Sequence, residues 1–305
     1  MKKTLVLLSL CVLSFSCSPT GSEDGAPVPL ETLEVEATVL GPGTVASFDG
    51  EEIAFTVHRV DVQNLVLVHG WMCDQTYWEH QAEVLAEAFG VVTVDLAGHG
   101  LSGSSREEWT TVSLGEDVKA VIEKLELERV VVVGHSMGGR VGLEVARLLP
   151  QTVIGVVGVD TLQKADNEMD PKQAQAIVAE FEQDFDTNCE TFVRSMFGEN
   201  ADAALIDRVT ADMCAGPGTI GVALLRNYFA YDVRGALQAA GVPVRCINAD
   251  KWPTDTEGNQ EYADFEATIL SGFGHFLMQE APDELEVALI DTILDIVSDE
   301  GPLKK

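Results

Sequence analysis

Short apolar runs alternate with amphipathic stretches over most of this chain. Leu65–Val68 reads as a buried strand, and Gln75–Phe89 as a helix. Val91–Asp95 is the next strand. In Leu114–Leu125, Val118, Val121, Ile122 and Leu125 share one helical face. Val130–Val133 is four valines in a row, followed by a helix over Met137–Leu149 that Pro150 ends. Val153–Val159 is another fully apolar strand. Strands without polar alternation are buried on both faces, and helices between them imply a parallel sheet covered on both sides.

Before this rhythm, Leu33–Leu40, Thr44–Phe48 and Ile53–Val57 read as strands. Asp49-Gly50 forms a hairpin turn between the last two. After it, residues 162–235 are acidic and helix-like, with Phe181, Phe185, Phe192, Phe197, Tyr228, Phe229 and Tyr231 scattered through them. The strand pattern resumes at Val242–Asn248 and Glu266–Leu270, and a helix over Pro282–Val297 closes the chain. The expected organisation is an α/β core over 31–161 and 236–300, with a helical cap, 162–235, inserted after the sixth strand.

Composition narrows the partners. The 305 residues hold 50 Asp plus Glu against 19 Lys plus Arg, a formal net charge of −31. Such a surface repels nucleic-acid backbones and anionic headgroups. Hydrophobic residues at 46% suffice for a large core. The N-terminus opens with Lys2 and Lys3, then an apolar run from Leu5 to Phe15 that is too short to span a bilayer. Residues 1–17 read as a signal peptide. Ser14-Phe15-Ser16-Cys17 resembles a bacterial lipobox, which makes Cys17 the lipidation candidate. A soluble secreted form is the alternative. Residues 18–30 form a flexible linker. The expected protein is an exported monomer that meets a membrane only through this anchor. Cys189 and Cys214 could pair in an oxidising compartment. No cysteine–histidine spacing suits a metal, and no cofactor is implied.

The chemistry concentrates at Gly134-His135-Ser136-Met137-Gly138-Gly139, between a strand and a helix. A serine nucleophile needs a sharp strand-to-helix bend, and the residues two before and two after must be small. Ser136 is the candidate nucleophile. His275, in Ser271-Gly272-Phe273-Gly274-His275-Phe276 past the last strand, is the candidate base. His135 is set aside because it points off the elbow. His69 and His99 sit in tight loops and are assigned to backbone geometry. An acyl oxyanion requires two aimed N–H donors. Met137 N–H supplies one and Trp71 N–H, after His69-Gly70, the other.

These strings, with Asp95-Leu96-Ala97-Gly98-His99-Gly100-Leu101-Ser102, resemble the α/β-hydrolase superfamily over about Leu33 to Val297. The resemblance implies a mostly parallel, eight-stranded sheet flanked by helices, and a Ser–His–acid triad. The chain departs from the pattern at the acid. In Asn248-Ala249-Asp250-Lys251-Trp252, Trp252 stands where many members place an Asp. Asp160, at the end of the Val153–Val159 strand, is preferred, and Asp250 is the alternative. Phe197, Tyr228 and Phe276 are candidate pocket residues.

A serine nucleophile argues against the dehalogenases and epoxide hydrolases of this fold, which use Asp at the elbow. The expected activity is hydrolysis of a small or medium carboxylic ester through an acyl-enzyme. The alternatives are a cofactor-free perhydrolase (haloperoxidase-type) or lyase activity, and a non-catalytic ligand-binding lipoprotein.

Overall fold

The structure is a computed structural model that describes residues 41–166 and 169–299. The signal peptide, Cys17, the linker 18–30 and the strand expected at Leu33–Leu40 lie outside the described residues.

In chain order the elements are β1 (Gly41–Ala46), β2 (Glu52–Arg59), β3 (Asn64–Val68), α1 (Glu79–Leu85), β4 (Gly90–Val94) and α2 (Thr111–Lys124). Then come β5 (Val130–His135), α3 (Met137–Leu148) and β6 (Val153–Val159). Five helices follow: α4 (Pro171–Gln183), α5 (Phe185–Met196), α6 (Ala203–Met213), α7 (Gly218–Ala230) and α8 (Val233–Ala240). The chain returns to the sheet at β7 (Val244–Ala249), α9 (Thr256–Gln260) and β8 (Phe265–Leu270). It ends with α10 (Leu277–Glu280) and α11 (Pro282–Asp299).

Eight strands form one sheet in the order β1-β2-β4-β3-β5-β6-β7-β8. The sheet is mixed. β1 pairs antiparallel with β2, and β2 antiparallel with β4. From β4 through β3, β5, β6 and β7 to β8 every pair is parallel. The parallel rhythm of the sequence therefore holds only beyond the opening hairpin. A tight turn joins antiparallel strands, whereas parallel ones need a crossover.

That hairpin also starts earlier than Thr44. The turn occupies Ser47 to Gly50, closed by Ser47 N donating to Glu51 O at 2.8 Å, with Gly50 at φ 90°. β1 ends at Ala46 as a result, and among the described residues it is an edge strand, the place in a sheet where a proline such as Pro42 is accommodated. The helix expected at Gln75–Phe89 splits into a 3-10 turn, Gln75–Trp78, capped by Asp74, and the short α1.

The central strands are the core. Every residue of β3, β4, β5 and β6 is buried. Each such valine or leucine contributes about 1.5–3 kcal/mol by leaving water. α2 and α3 pack on one face of the sheet, and α1 and α11 on the other. The parallel strands all point their C-terminal ends the same way, and the loops after β3, β5, β6 and β8 carry the residues of interest.

Candidate active site

β5 runs through Gly134 and His135 into Ser136, whose backbone turns at φ 53° and ψ −116° before α3 begins. A serine rarely holds that conformation, at a cost of about 1–3 kcal/mol. Neighbours enforce it. Ser136 N donates to Val159 O at 3.0 Å, and Thr161 Oγ1 donates to Ser136 O at 2.7 Å. The bend leaves no room for side chains beside it. A Cβ on Gly134 would collide with Gly138 O, and one on Gly138 would lie 2.5 Å from Val68 O. Ser136 keeps partial exposure while His135 and Met137 are buried.

The candidate oxyanion donors approach from two directions. Met137 is the first residue of α3, so its N–H has no acceptor within the helix. The end of β3 passes against the elbow. A Cβ on Gly70 would lie 3.2 Å from Ser136 Cβ and 2.8 Å from His135 Nδ1. This brings the Gly70–Trp71 backbone alongside the serine.

Two buried histidines hold that loop. His69 Nε2 accepts from Leu96 N at 3.0 Å, which leaves Nδ1–H to donate to Gly70 O at 2.8 Å. His99 Nε2 accepts from Met72 N at 3.2 Å, and Nδ1–H donates to Ala97 O at 3.0 Å. Each uses both ring nitrogens, so each must be neutral. Burial pushes His69 down to about 4. Burial, with His69 nearby, pushes His99 down to about 3.

His275 stands in the loop after β8 and is 7% exposed. Its Nδ1 lies 2.5 Å from Asp160 Oδ2. The Asp160 carboxylate is buried at the end of β6, and its Oδ1 accepts from Ala249 N at 2.9 Å. Asp160 itself sits at φ 44°, with its N–H on Ile247 O at 2.9 Å. Asp250 is exposed and instead accepts from Gly272 N at 3.0 Å, which holds the turn before His275. Trp252 packs edge-on to the His275 ring at 5.4 Å. With Nδ1–H committed to Asp160, Nε2 of a neutral His275 carries the lone pair.

His135 is not turned away from this machinery. Its Nε2 donates to His275 O at 3.0 Å, and the two rings lie 4.6 Å apart. Burial first, and the charge His275 would carry second, press its pKa well below the usual imidazole value. The residue before Ser136 is thus a neutral strut to the His275 loop.

The aromatic candidates separate. Phe276 is fully buried and stacks with Phe197 at 4.8 Å, packed behind His275. Tyr228 lies beneath the Arg140 guanidinium at 3.4 Å. A different set surrounds Trp71. Phe181, Phe185 and Phe192 lie 6.0, 6.1 and 5.9 Å from its ring, and its indole N–H donates to Gly221 O at 2.8 Å. Phe192 is 38% exposed, so this cluster reaches solvent. A cavity of about 250 Å³ opens nearby, lined by Met72, Cys73, His99 and Asp212 among others. Neither Ser136 nor His275 lines it.

Residues 65–288 match the model of the alpha/beta hydrolase family. The chain belongs to the alpha/beta hydrolase family. Among solved structures, this hydrolase is similar to a bromoperoxidase from Bacillus anthracis, at 21% identity and TM-score 0.72. That match covers 84% of this chain and 100% of the other. An esterase from Exiguobacterium antarcticum matches at 19% identity and TM-score 0.73, over 83% of this chain and 99% of its own. Likeness at this identity speaks to fold alone. In sequence, the chain is 40% identical over 89 residues to a dihydrolipoyllysine-residue acetyltransferase component of an acetoin cleaving system from Pseudomonas putida. That stretch is 29% of this chain and 24% of the relative. The match to a Mycobacterium bovis relative likewise spans about a quarter of that protein, 26%.

Several contributors gave no signal in the sequence. Thr161 fixes the Ser136 carbonyl, and Asn248 Oδ1 accepts from Thr161 N at 3.0 Å. Both act through backbone groups of distant segments, which no spacing reveals. Cys189 on α5 and Cys214 after α6 are paired, a bridge the sequence left open. Cys73 and Cys246 are buried thiols whose pKa values burial raises, so both stay protonated. Among the described residues no group of His, Cys, Asp or Glu could hold a metal ion, and no helix is long and apolar enough to cross a membrane.

Proposed function

We propose that this hydrolase cleaves a small or medium carboxylic ester through an acyl-enzyme on Ser136. One observation carries the reading. Ser136 is held at positive φ on its elbow, and the residue beside it is bonded to His275, which is itself paired with Asp160.

The steps follow from these groups. His275 Nε2 takes the Ser136 Oγ proton as the hydroxyl attacks the ester carbonyl. The N–H groups of Met137 and Trp71 hold the oxyanion. Asp160 keeps the imidazole in the required tautomer and stabilises the imidazolium. His275 passes the proton to the leaving alcohol, then takes one from a water that attacks the acyl carbon, and returns it to Ser136 Oγ as the acid departs. Residues 162–235 serve as the cap over the strand ends. The Trp71–Phe181–Phe185–Phe192 cluster, beside one oxyanion donor, supplies an apolar wall for the acyl group.

An esterase stands among the structural neighbours, so this fold accommodates such chemistry. A bromoperoxidase neighbour favours one second reading, in which peroxide replaces water in deacylation. The protein is read as exported and anchored through Cys17, with secretion in soluble form as the alternative. The Cys189–Cys214 bridge supports an oxidising compartment.

Hydrolysis of p-nitrophenyl acetate and butyrate tests the proposal. Ser136→Ala is expected to lower kcat by on the order of 10⁴-fold or more. Turnover unchanged in that variant contradicts it. Bromination that depends on added peroxide would select the second reading.

A further inference from the structure

Three consecutive residues at the C-terminal end of α5 grip the loops around His275. Met196 O accepts the His275 N–H at 2.9 Å. Phe197 O accepts from Lys251 Nζ at 3.1 Å. Gly198 N donates to Glu280 Oε2 at 2.9 Å. The same Oε2 accepts from Gly274 N at 3.0 Å, and Oε1 accepts from Phe276 N at 3.2 Å. One carboxylate therefore takes the amides on both sides of His275 and a third from a segment 82 residues away. The two backbones are pressed together at this point. A Cβ on Gly198 would lie 2.9 Å from Gly274 N, and one on Gly274 would collide with Gly198 N.

We propose that Glu280 is the positioning residue for His275, a latch that fixes its backbone against the end of α5. The proposal rests on the reading of His275 as the base. Asp160 orients the ring through Nδ1, but it acts on a side chain whose Cα must already be in place. Flanking amides bound by an ionised carboxylate are held by charge-assisted bonds, about twice as strong as neutral ones. A glutamine in the same place has one accepting oxygen, and its NH2 group would face an amide N–H. A base displaced by about 1 Å loses on the order of a hundredfold in rate. Through Gly198 the latch also ties the histidine to the helix that bears the Cys189 bridge.

The test uses the full chain with Glu280→Gln and Glu280→Asp. Three readouts are taken: kcat and KM on p-nitrophenyl butyrate, active-site titration with a fluorophosphonate, and amide hydrogen exchange. In Glu280→Gln, kcat per titrated site is expected to fall by about 30- to 100-fold with KM within about threefold. Exchange should quicken at Gly198 and at 274–276 while β5 stays protected. Glu280→Asp, which keeps the charge, should recover part of the rate. An unchanged kcat per titrated site overturns the proposal, whether or not exchange quickens. So does a loss explained entirely by fewer titratable sites, which marks a merely structural role. If Glu280→Gln does not accumulate, Glu280→Asp decides alone: about fivefold or more lost per site supports the latch, and no loss overturns it. Should the wild type neither turn over esters nor label, the reading of the site has failed. Exchange at 274–276 then reports only whether Glu280 holds that backbone, and the positioning of a base falls with the base.

Discussion

At Ser136 the backbone bends because its immediate neighbours leave it nowhere else to go. At His275 the backbone stays where distant segments hold it. The elbow lies between β5 and α3, and Gly134 and Gly138 touch across it. Its strain is contained within a few residues, with bonds from Val159 and Thr161 as reinforcement. The His275 arm has no such local logic. It is bonded to Asp160 at the end of β6, 115 residues away, to His135 on β5, to Met196 on α5 and, through its flanking amides, to Glu280. A steric bend persists as long as the strand and helix do. An arm tied at many distant points is only as well placed as each tie, so its failures should be graded.

The ties on His275 can be cut one at a time. Asp160→Asn is expected to lower kcat by on the order of 10⁴-fold, because the wrong tautomer of His275 is then stabilised. Asp250→Asn should cost less than about tenfold, since its carboxylate supports a turn and never meets the ring. Steady-state kinetics on one ester measure both. Equal losses would mean that the two acids share the role and that the burial of Asp160 decides nothing.

A smaller effect reports on the elbow side. His69 and His99 brace the loop after β3 as neutral rings, with folded pKa values of about 4 and about 3. Unfolded imidazoles titrate near 6.5. Between those values the unfolded chain binds more protons than the folded one, so stability rises with pH across that window. It is fully present above about pH 6.5 and is lost as the pH falls toward 4. Each histidine contributes a slope of at most about 1.4 kcal/mol per pH unit. Urea midpoints at pH 7, 6, 5 and 4.5 should therefore decline steadily, and less steeply in a His99→Asn variant. A flat profile would show that these rings can be protonated in place.

The same contrast explains what the amino-acid sequence discloses. The valines of β5, the glycines of the elbow and the helix after it are constraints between near neighbours, and they are legible as a string. So is the β6 strand that ends at Asp160. The choice between Asp160 and Asp250 is not, because it depends on which strand end reaches the β8 loop. Phe276 has the composition of a pocket wall, yet it is wholly buried behind the histidine. His135 looks idle in a motif and is in fact bonded to His275 O. Glu280 resembles any surface acid of a strongly acidic chain until its three backbone partners are placed around it. The opening hairpin was legible in Asp49-Gly50, but the antiparallel pairing of β2 with β4 was not, because it joins strands that no tight turn connects.

An activated Ser136 reacts with a fluorophosphonate, and the rate of that labelling measures its activation without any assumption about substrate. The wild type should carry the label on Ser136, located by peptide mass mapping, and His275→Ala should label at least about a thousandfold more slowly. Equal labelling rates in the two proteins, or a label on another residue, would contradict the pairing of elbow and arm.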